Sequence, residues 1–330
     1  MTGLRRLRGR PRLQAMTRQQ RDLPQLSGGL FLTDGGIETF LIFQQGADLP
    51  FGAAYVLLRD DAGVAQLTRY FEEYLAIARE HGAGFVLESA TWRANPDWAA
   101  RIGTSPEELA RLNREAIEML VPIRERWAGE VSPIVLSGAV GPRSDAYRPT
   151  EIMSEAEAER YHAVQIGAFA ETEADVVTGF TLSNVPEAIG IVRAARAVGL
   201  PAVIAFTVET DGRLPTGPTL REAIARVDDA TAGGPAYYMI NCAHPTHFGP
   251  ALEGGEGWTK RVRALRANSS AKSHAELDES PELDEGNPTE LGAQYRELRA
   301  RLPHVNVLGG CCGTDHRHIR KIAAACAAGR

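Results

Sequence analysis

From about residue 29 onward the chain alternates between two kinds of segment. Short apolar, β-branched runs end in Gly, Ser, Thr, Asn or Cys, and each is followed by a longer stretch with helical spacing. Eight such runs stand out, at 30–35, 85–91, 134–140, 175–181, 202–208, 236–242, 262–268 and 305–310. None alternates cleanly between apolar and polar positions over its length. Near-continuous apolar strands are what a parallel sheet covered by helices on its outer face requires. In the stretches between, Leu67, Tyr70, Phe71, Tyr74, Leu75 and Ala78 recur at spacings of three and four, and Gly82 closes that helix. Ser105, Pro106, Glu107 and Glu108 form a helix start: a capping hydroxyl, a proline in the first turn and acids at the positive end of the dipole. Further helices are predicted over 154–170, 186–198, 219–227, 288–302 and 314–328, and the stretch after Cys242 is short and weak as a helix. Eight strands alternating with helices predict an α/β fold, an eight-stranded (β/α)8 TIM-type barrel. The alternative is an open doubly wound sheet, but no glycine-rich phosphate fingerprint follows the first strand. Two stretches exceed the bare repeat, 36–63 after the first run and the acidic 269–290 after the seventh. Both are expected at the face where barrel active sites are built.

Composition changes this picture little. The chain has 330 residues, 44% of them hydrophobic and 24% charged, with a formal net charge of -6. Nothing in that balance calls for a nucleic-acid partner. No apolar run approaches the roughly 20 residues needed to span a bilayer, so no membrane partner is expected. Charge is unevenly spread: residues 1–28 hold seven arginines against one acid, Asp22, while the remainder carries 29 basic and 41 acidic residues. Residues 1–28 are therefore expected to be a disordered basic extension, with Met16 a candidate start, and 29–330 a single barrel domain.

The four cysteines, Cys242, Cys311, Cys312 and Cys326, do not make a disulfide framework in a chain this long. A reducing, cytoplasmic setting is expected, where clustered cysteine is more often a metal site or catalytic. Cys242 ends the sixth run, and Cys311 and Cys312 end the eighth inside Gly-Gly-Cys-Cys-Gly-Thr-Asp. In a barrel these ends lie close together. Three thiolates would hold Zn²⁺ with one tetrahedral position open. Gly309, Gly310 and Gly313 are expected to supply the unusual backbone angles that turn adjacent sulfurs inward. His244 and His247 are further candidate ligands, and Cys326 reads as an ordinary buried residue.

Residues 309–314, with Asn241-Cys242 upstream and Asp34-Gly35-Gly36 at the end of the first run, resemble the homocysteine S-methyltransferase family. The resemblance extends over 138–142, Phe206-Thr207, 211–214 and Asn268, and spans roughly 29–328. It implies a zinc-dependent barrel in which Cys242, Cys311 and Cys312 bind the metal and a substrate thiol completes the shell. The implied reaction moves a methyl group from a sulfonium or quaternary ammonium donor to a thiol, homocysteine giving methionine. S-methylmethionine or S-adenosylmethionine would be the donor, or a betaine-type molecule. Asp34, Gly35, Glu88, Thr91 and Thr181 are the candidate substrate contacts, with Glu38 a further carboxylate and Trp92, Tyr55 and Phe180 candidate aromatic partners for a cation. The sequence departs from the family where Phe180 stands in place of a glutamate that helps hold the amino acid's ammonium, and Glu88 is expected to substitute for it. Alternatives are another thiol acceptor or a demethylase on the same centre, or a non-catalytic barrel whose zinc is closed by a fourth protein ligand.

Overall fold

In the computed structural model, which describes residues 23–253, 257–278, 280 and 282–327, eight parallel strands close into a barrel in sequence order. They are β1 (Phe31–Leu32), β2 (Gly84–Glu88), β3 (Ile134–Val140), β4 (Val176–Leu182), β5 (Ala202–Phe206), β6 (Pro235–Asn241), β7 (Val262–Ala267) and β8 (Val307–Gly310). Closure is made by β1, which pairs with β2 through Phe31 opposite Gly84 and with β8 through Phe31 opposite Val307. The expected (β/α)8 barrel is the observed fold.

Several strands end earlier than their apolar runs, because side chains at the mouth take over from the backbone ladder. After Glu88, Ser89 Oγ lies 2.7 Å from Thr91 Oγ1, and Thr91 Oγ1 donates to the Ala139 carbonyl at 2.7 Å. The chain there stays tied to β3 while leaving the strand.

The apolar positions form two layers. Inside the barrel, Phe31, Val86, Val135, Val176, Val203, Tyr237, Met239, Ala264 and Val307 pack against one another. Outside, a larger core lies between strands and helices. The helices follow their caps. Ser105 caps Pro106–Glu118 by accepting from the Glu108 amide, and Ser154 with Glu157 makes a reciprocal capping box on Glu155–Ala170. Asp61–Glu80, Leu120–Trp127, Val185–Ala197, Leu220–Thr231, Pro288–Arg301 and His316–Ala327 continue the outer layer, and among the described residues β6 is followed by the short helix Pro245–Phe248 and two 3-10 turns, Pro250–Leu252 and Gly257–Arg261. A short helix, Pro96–Ile102, went unread in the apolar pattern; Asn95 caps it.

The boundary drawn at residue 29 needs correction. Residues 24–27 form a 3-10 turn on the barrel floor, with Leu23 and Gln25 buried. Gln25 donates to the Tyr237 hydroxyl at 3.3 Å, and Asn306 Nδ2 donates to the Gln25 and Gly29 carbonyls. A buried amide and its partners draw this segment into the domain. The rest of the expected extension, residues 1–22, lies outside the described residues.

Candidate active site

The three cysteines meet at the mouth. Their sulfurs all lie within 4.8 Å of one another, and Cys242 Sγ is 3.5 Å from Cys312 Sγ. Cys242 is buried at the end of β6 and its amide donates to the Arg266 carbonyl. The Cys311 amide donates to the Ala267 carbonyl, and the Cys312 carbonyl accepts from the Ser269 amide. Behind them the buried Asp315 carboxylate accepts from Gln44, Arg317 and the His318 ring. The segment bearing the cysteine pair is thus anchored to β7, to the loop after β1 and to the start of the last helix.

The backbone turns inward differently from expectation. Of the three flanking glycines only Gly313 has positive φ, at 78°; the other unusual angle belongs to Cys242 itself, at 54°. Gly309 and Gly310 are in β8, where a Cβ would collide with the hydroxyls of Thr33 and Thr314. Their role is close approach. Thr181, at the mouth of β4, also has positive φ, 56°, an unfavourable angle for a β-branched residue. Asn241 holds it there: its Oδ1 accepts from the Thr181 amide at 3.0 Å and its Nδ2 donates to the Thr181 hydroxyl at 2.8 Å.

A cavity opens beside the sulfurs. Asp34, Gly35, Glu88 and Thr181 line it, as do Glu38, Trp92, Phe180, Tyr147, Asn241 and Arg266. Thr91 does not; its hydroxyl is committed to Ser89 and Ala139 beneath the wall. Tyr55 is buried in the outer core against Thr104, away from the cavity. Neither histidine joins the sulfurs: His244 Nδ1 lies 2.8 Å from Thr246 Oγ1 and His247 Nε2 is 3.0 Å from the Ala271 carbonyl. Among the described residues the three cysteines are the one cluster of this kind.

The carboxyls of this cavity differ sharply. Asp34 is occupied: Arg266 Nη1 is 2.8 Å from its Oδ1, and the Tyr70 hydroxyl donates to its Oδ2 at 2.9 Å. Arg266 also donates to the Gly310 and Gly35 carbonyls and stacks 5.2 Å over the Phe180 ring. Burial works against the Arg266 charge, but Asp34 and Glu88 outweigh it and hold the pKa above its ordinary value. Asp34 Oδ1 and Glu88 Oε2 are both buried without a hydrogen-bond partner, but Oδ1 faces the Arg266 guanidinium, whereas Glu88 makes no ion pair among the described residues. Burial pushes its pKa up to about 7, against the opposing pull of Arg266 and the Ser137 hydroxyl. Burial likewise pushes Glu38 up to about 7.

The three thiols hold one another in unlike states. Hydrogen bonds from the Cys311 and Cys312 thiols hold Cys242 well below the usual thiol range, helped by the Tyr147 hydroxyl at 3.1 Å. The same interactions push Cys311 up to about 12 and Cys312 well above its usual range. Three thiolates so close require a cation to offset their repulsion, and the donor set is able to hold a metal ion.

Arg266, Tyr147 and Asn241 escaped the sequence reading as site residues. An arginine inside an apolar strand was the available signal for Arg266: buried in a barrel it needs a carboxylate, and Asp34 was already in view. Tyr147, in the loop after β3, gave no such signal.

Fold and site together define a (β/α)8 barrel with a three-cysteine centre at its catalytic mouth. The homocysteine S-methyltransferase family model matches residues 31–326, and the chain belongs to that family of methyltransferases. The homocysteine S-methyltransferase YbgG of Bacillus subtilis is 24% identical over 317 residues, covering 89% of this chain and 94% of YbgG. Among solved structures, the homocysteine methyltransferase MmuM from Escherichia coli superposes with TM-scores of 0.69 in its metallated form and 0.71 in its oxidized form. The identities are 19% and 21%, covering 93% of this chain and 99% of MmuM. No helix among the described residues is long and apolar enough to cross a membrane.

Proposed function

We propose that this chain is a zinc-dependent methyltransferase that moves a methyl group from a sulfonium or quaternary ammonium donor to homocysteine, giving methionine. The observation that carries this is the three-sulfur cluster opening onto a cavity with an unpaired buried carboxyl. Cys242, Cys311 and Cys312 would hold Zn²⁺; Zn–S bonds of about 2.3 Å in a tetrahedron put sulfurs about 3.8 Å apart, close to the spacing of Cys242 and Cys312. Bound there, zinc would keep the acceptor thiol in its nucleophilic thiolate form. The protein's own groups orient the acceptor. Glu88 is the free carboxylate for its ammonium, since Asp34 is held by Arg266 and Tyr70. Asp34, Gly35 and Thr181 shape the wall, and Thr91 acts from behind by fixing Ser89 and the β3 mouth. A reducing, cytoplasmic setting suits a centre of free thiols.

X-ray absorption at the zinc edge on reduced protein, before and after homocysteine, tests this. A shell that rises from three sulfurs to four is the expected result. A shell unchanged by homocysteine removes it as acceptor, and a protein that retains no zinc when supplied with it removes the centre.

One observation favours a second reading, in which the acceptor thiol carries no ammonium. Burial pushes the Glu88 pKa up to about 7, and the Arg266–Asp34 pair and the Phe180 ring beside the cavity offer no free carboxylate of their own. 4-Mercaptobutyrate, which is homocysteine without its amino group, separates the two. Binding as tight as homocysteine would favour this reading.

A further inference from the structure

The rest of the chain meets the three sulfurs unequally. The Tyr147 hydroxyl donates to Cys242 Sγ at 3.1 Å. Asn241 Nδ2 reaches Cys311 Sγ at 3.8 Å, a much longer contact. Cys312 Sγ is met by Cys242 Sγ. We propose that Tyr147 is a positioning residue of this centre: its O–H···S bond lowers the nucleophilicity of the Cys242 sulfur, so that a methyl group goes to the acceptor thiol and not to the protein. The proposal rests on the metal-thiolate reading above and adds to it how the centre is spared from its own donor.

Both the backbone and the ring of Tyr147 are held in place. Asp145 Oδ1 accepts from the Tyr147 and Arg148 amides at 2.8 Å each, which fixes the loop after β3 at this point. The ring is stacked on His274, with centroids 4.0 Å apart and planes inclined by 25°. His274 follows β7 and is itself buried, its Nε2 lying 3.3 Å from the Val208 carbonyl and 3.4 Å from Thr207 Oγ1. Thr207 Oγ1 also donates to the Cys242 carbonyl at 3.1 Å. The stack that aims the hydroxyl and the cysteine that receives it therefore share one support. A phenol keeps its proton at neutral pH and has one proton to donate. Here that proton is given to Cys242.

Thiolates beside a methyl donor are open to methylation themselves. In that unwanted step a cysteine sulfur forms an S–CH3 bond with its own electron pair. The bond from the methyl carbon to the donor's sulfonium sulfur or ammonium nitrogen breaks toward the donor, which leaves as a neutral thioether or tertiary amine. A hydrogen bond to an ionised sulfur holds back the electron pair that would attack, and such charge-assisted bonds are roughly twice as strong as neutral ones. Methylation turns the sulfur into a thioether, a weak acceptor, so most of that bond is lost and its loss adds to the barrier. The Tyr147 proton is spent on Cys242, so it does not damp the acceptor sulfur. Hydrogen bonds to a ligand also tune the metal that the ligand holds. A thiolate-to-metal charge-transfer band reads this directly, because the bond lowers the energy of the sulfur electrons.

Tyr147→Phe keeps a ring to stack on His274 and removes only the hydroxyl. Reduced protein loaded with Co²⁺ gives the first readout: the thiolate-to-cobalt charge-transfer bands should move to lower energy in the variant. The second is methylation of individual cysteines by iodomethane in zinc-loaded protein, followed by peptide mass spectrometry. Cys242 should react about tenfold faster in Tyr147→Phe, while Cys326, on the last helix, should change by less than about twofold. A Tyr147 that only props up the loop would move neither readout. Bands that stay in place, or a Cys242 rate unchanged by the substitution, overturn the proposal and leave the parent function standing. Wild-type protein that shows no thiolate-to-cobalt bands refutes the parent centre, and this proposal with it.

Discussion

Glu187 and Glu88 are almost equally buried, 3% and 5% exposed, yet they titrate in opposite directions. Glu187 sits at the start of the helix after β4. Its Oε1 accepts from the Arg143 amide at 2.8 Å and lies 3.0 Å from His162 Nε2, while Oε2 accepts from Asn184 Nδ2 at 3.0 Å. Burial pushes its pKa up, but these partners outweigh burial and hold it below the ordinary value. Glu88 feels the pull of Arg266 and the Ser137 hydroxyl but makes no ion pair among the described residues, and its Oε2 is orphaned. Burial alone therefore says little about a carboxylate's purpose. A satisfied one knits elements together; an unsatisfied one, facing a cavity beside three thiols, is what the proposed contact with an acceptor ammonium rests on.

The largest expected effect comes from the centre that makes Glu88's cavity worth filling. Cys311→Ala should abolish zinc retention and cut methyl transfer to below about one-hundredth, with the circular dichroism spectrum unchanged. Metal analysis and turnover on the same sample check this, and full activity without zinc would break the comparison at its root.

Next is Glu187→Ala, which strands His162 and the Arg143 amide. It should cost about 3 kcal/mol of stability by denaturant titration while leaving the homocysteine Kd almost unmoved. A large loss of affinity with little loss of stability would reverse the two assignments.

The pH dependence separates the pair by sign. A folded pKa raised from 4.5 to about 7 means that native Glu88 holds its proton where the unfolded chain has lost it. Its contribution to stability is therefore complete below about 4.5 and is lost as pH rises to about 7. Glu187, with its depressed pKa, contributes above 4.5 and loses that contribution as pH falls. Glu88→Gln should thus gain stability over wild type between about pH 4.5 and 7, by up to roughly 3 kcal/mol, then hold level. A stability difference that shrinks over that window contradicts the assigned direction.

The smallest effect is on the ligand itself. Glu88→Gln should weaken homocysteine about tenfold, or about 1.4 kcal/mol, and leave 4-mercaptobutyrate unchanged. Equal losses for both thiols would show that Glu88 shapes the cavity without meeting an ammonium.

The fold was legible because a barrel repeats one local pattern. Eight apolar runs separated by capped helices constrain topology strongly, as Ser105 and Ser154 show at the residues that cap their helices. The cysteines were legible too, since two adjacent thiols at a strand end beside glycines have few purely structural uses. The floor was misplaced because a basic, irregular stretch hides the burial of Gln25 against Tyr237 and Asn306, partners more than 200 residues away.

By itself, then, the sequence determined the barrel, the strand ends that carry chemistry and the three sulfurs, because periodicity, caps and residue type are local properties. Tertiary structure alone decided which carboxylates are free. Asp34 and Glu88 look alike as acids at strand ends; Arg266 from β7 pairs with Asp34 and Tyr70 from the first long helix donates to it, while Glu88 feels Arg266 without an ion pair. It also decided that Tyr147, from a loop with no motif, should reach Cys242. The physical reason is the same in each case. The state of a buried polar group is set by what packs against it, and in a barrel those partners come from strands and loops far apart in the chain.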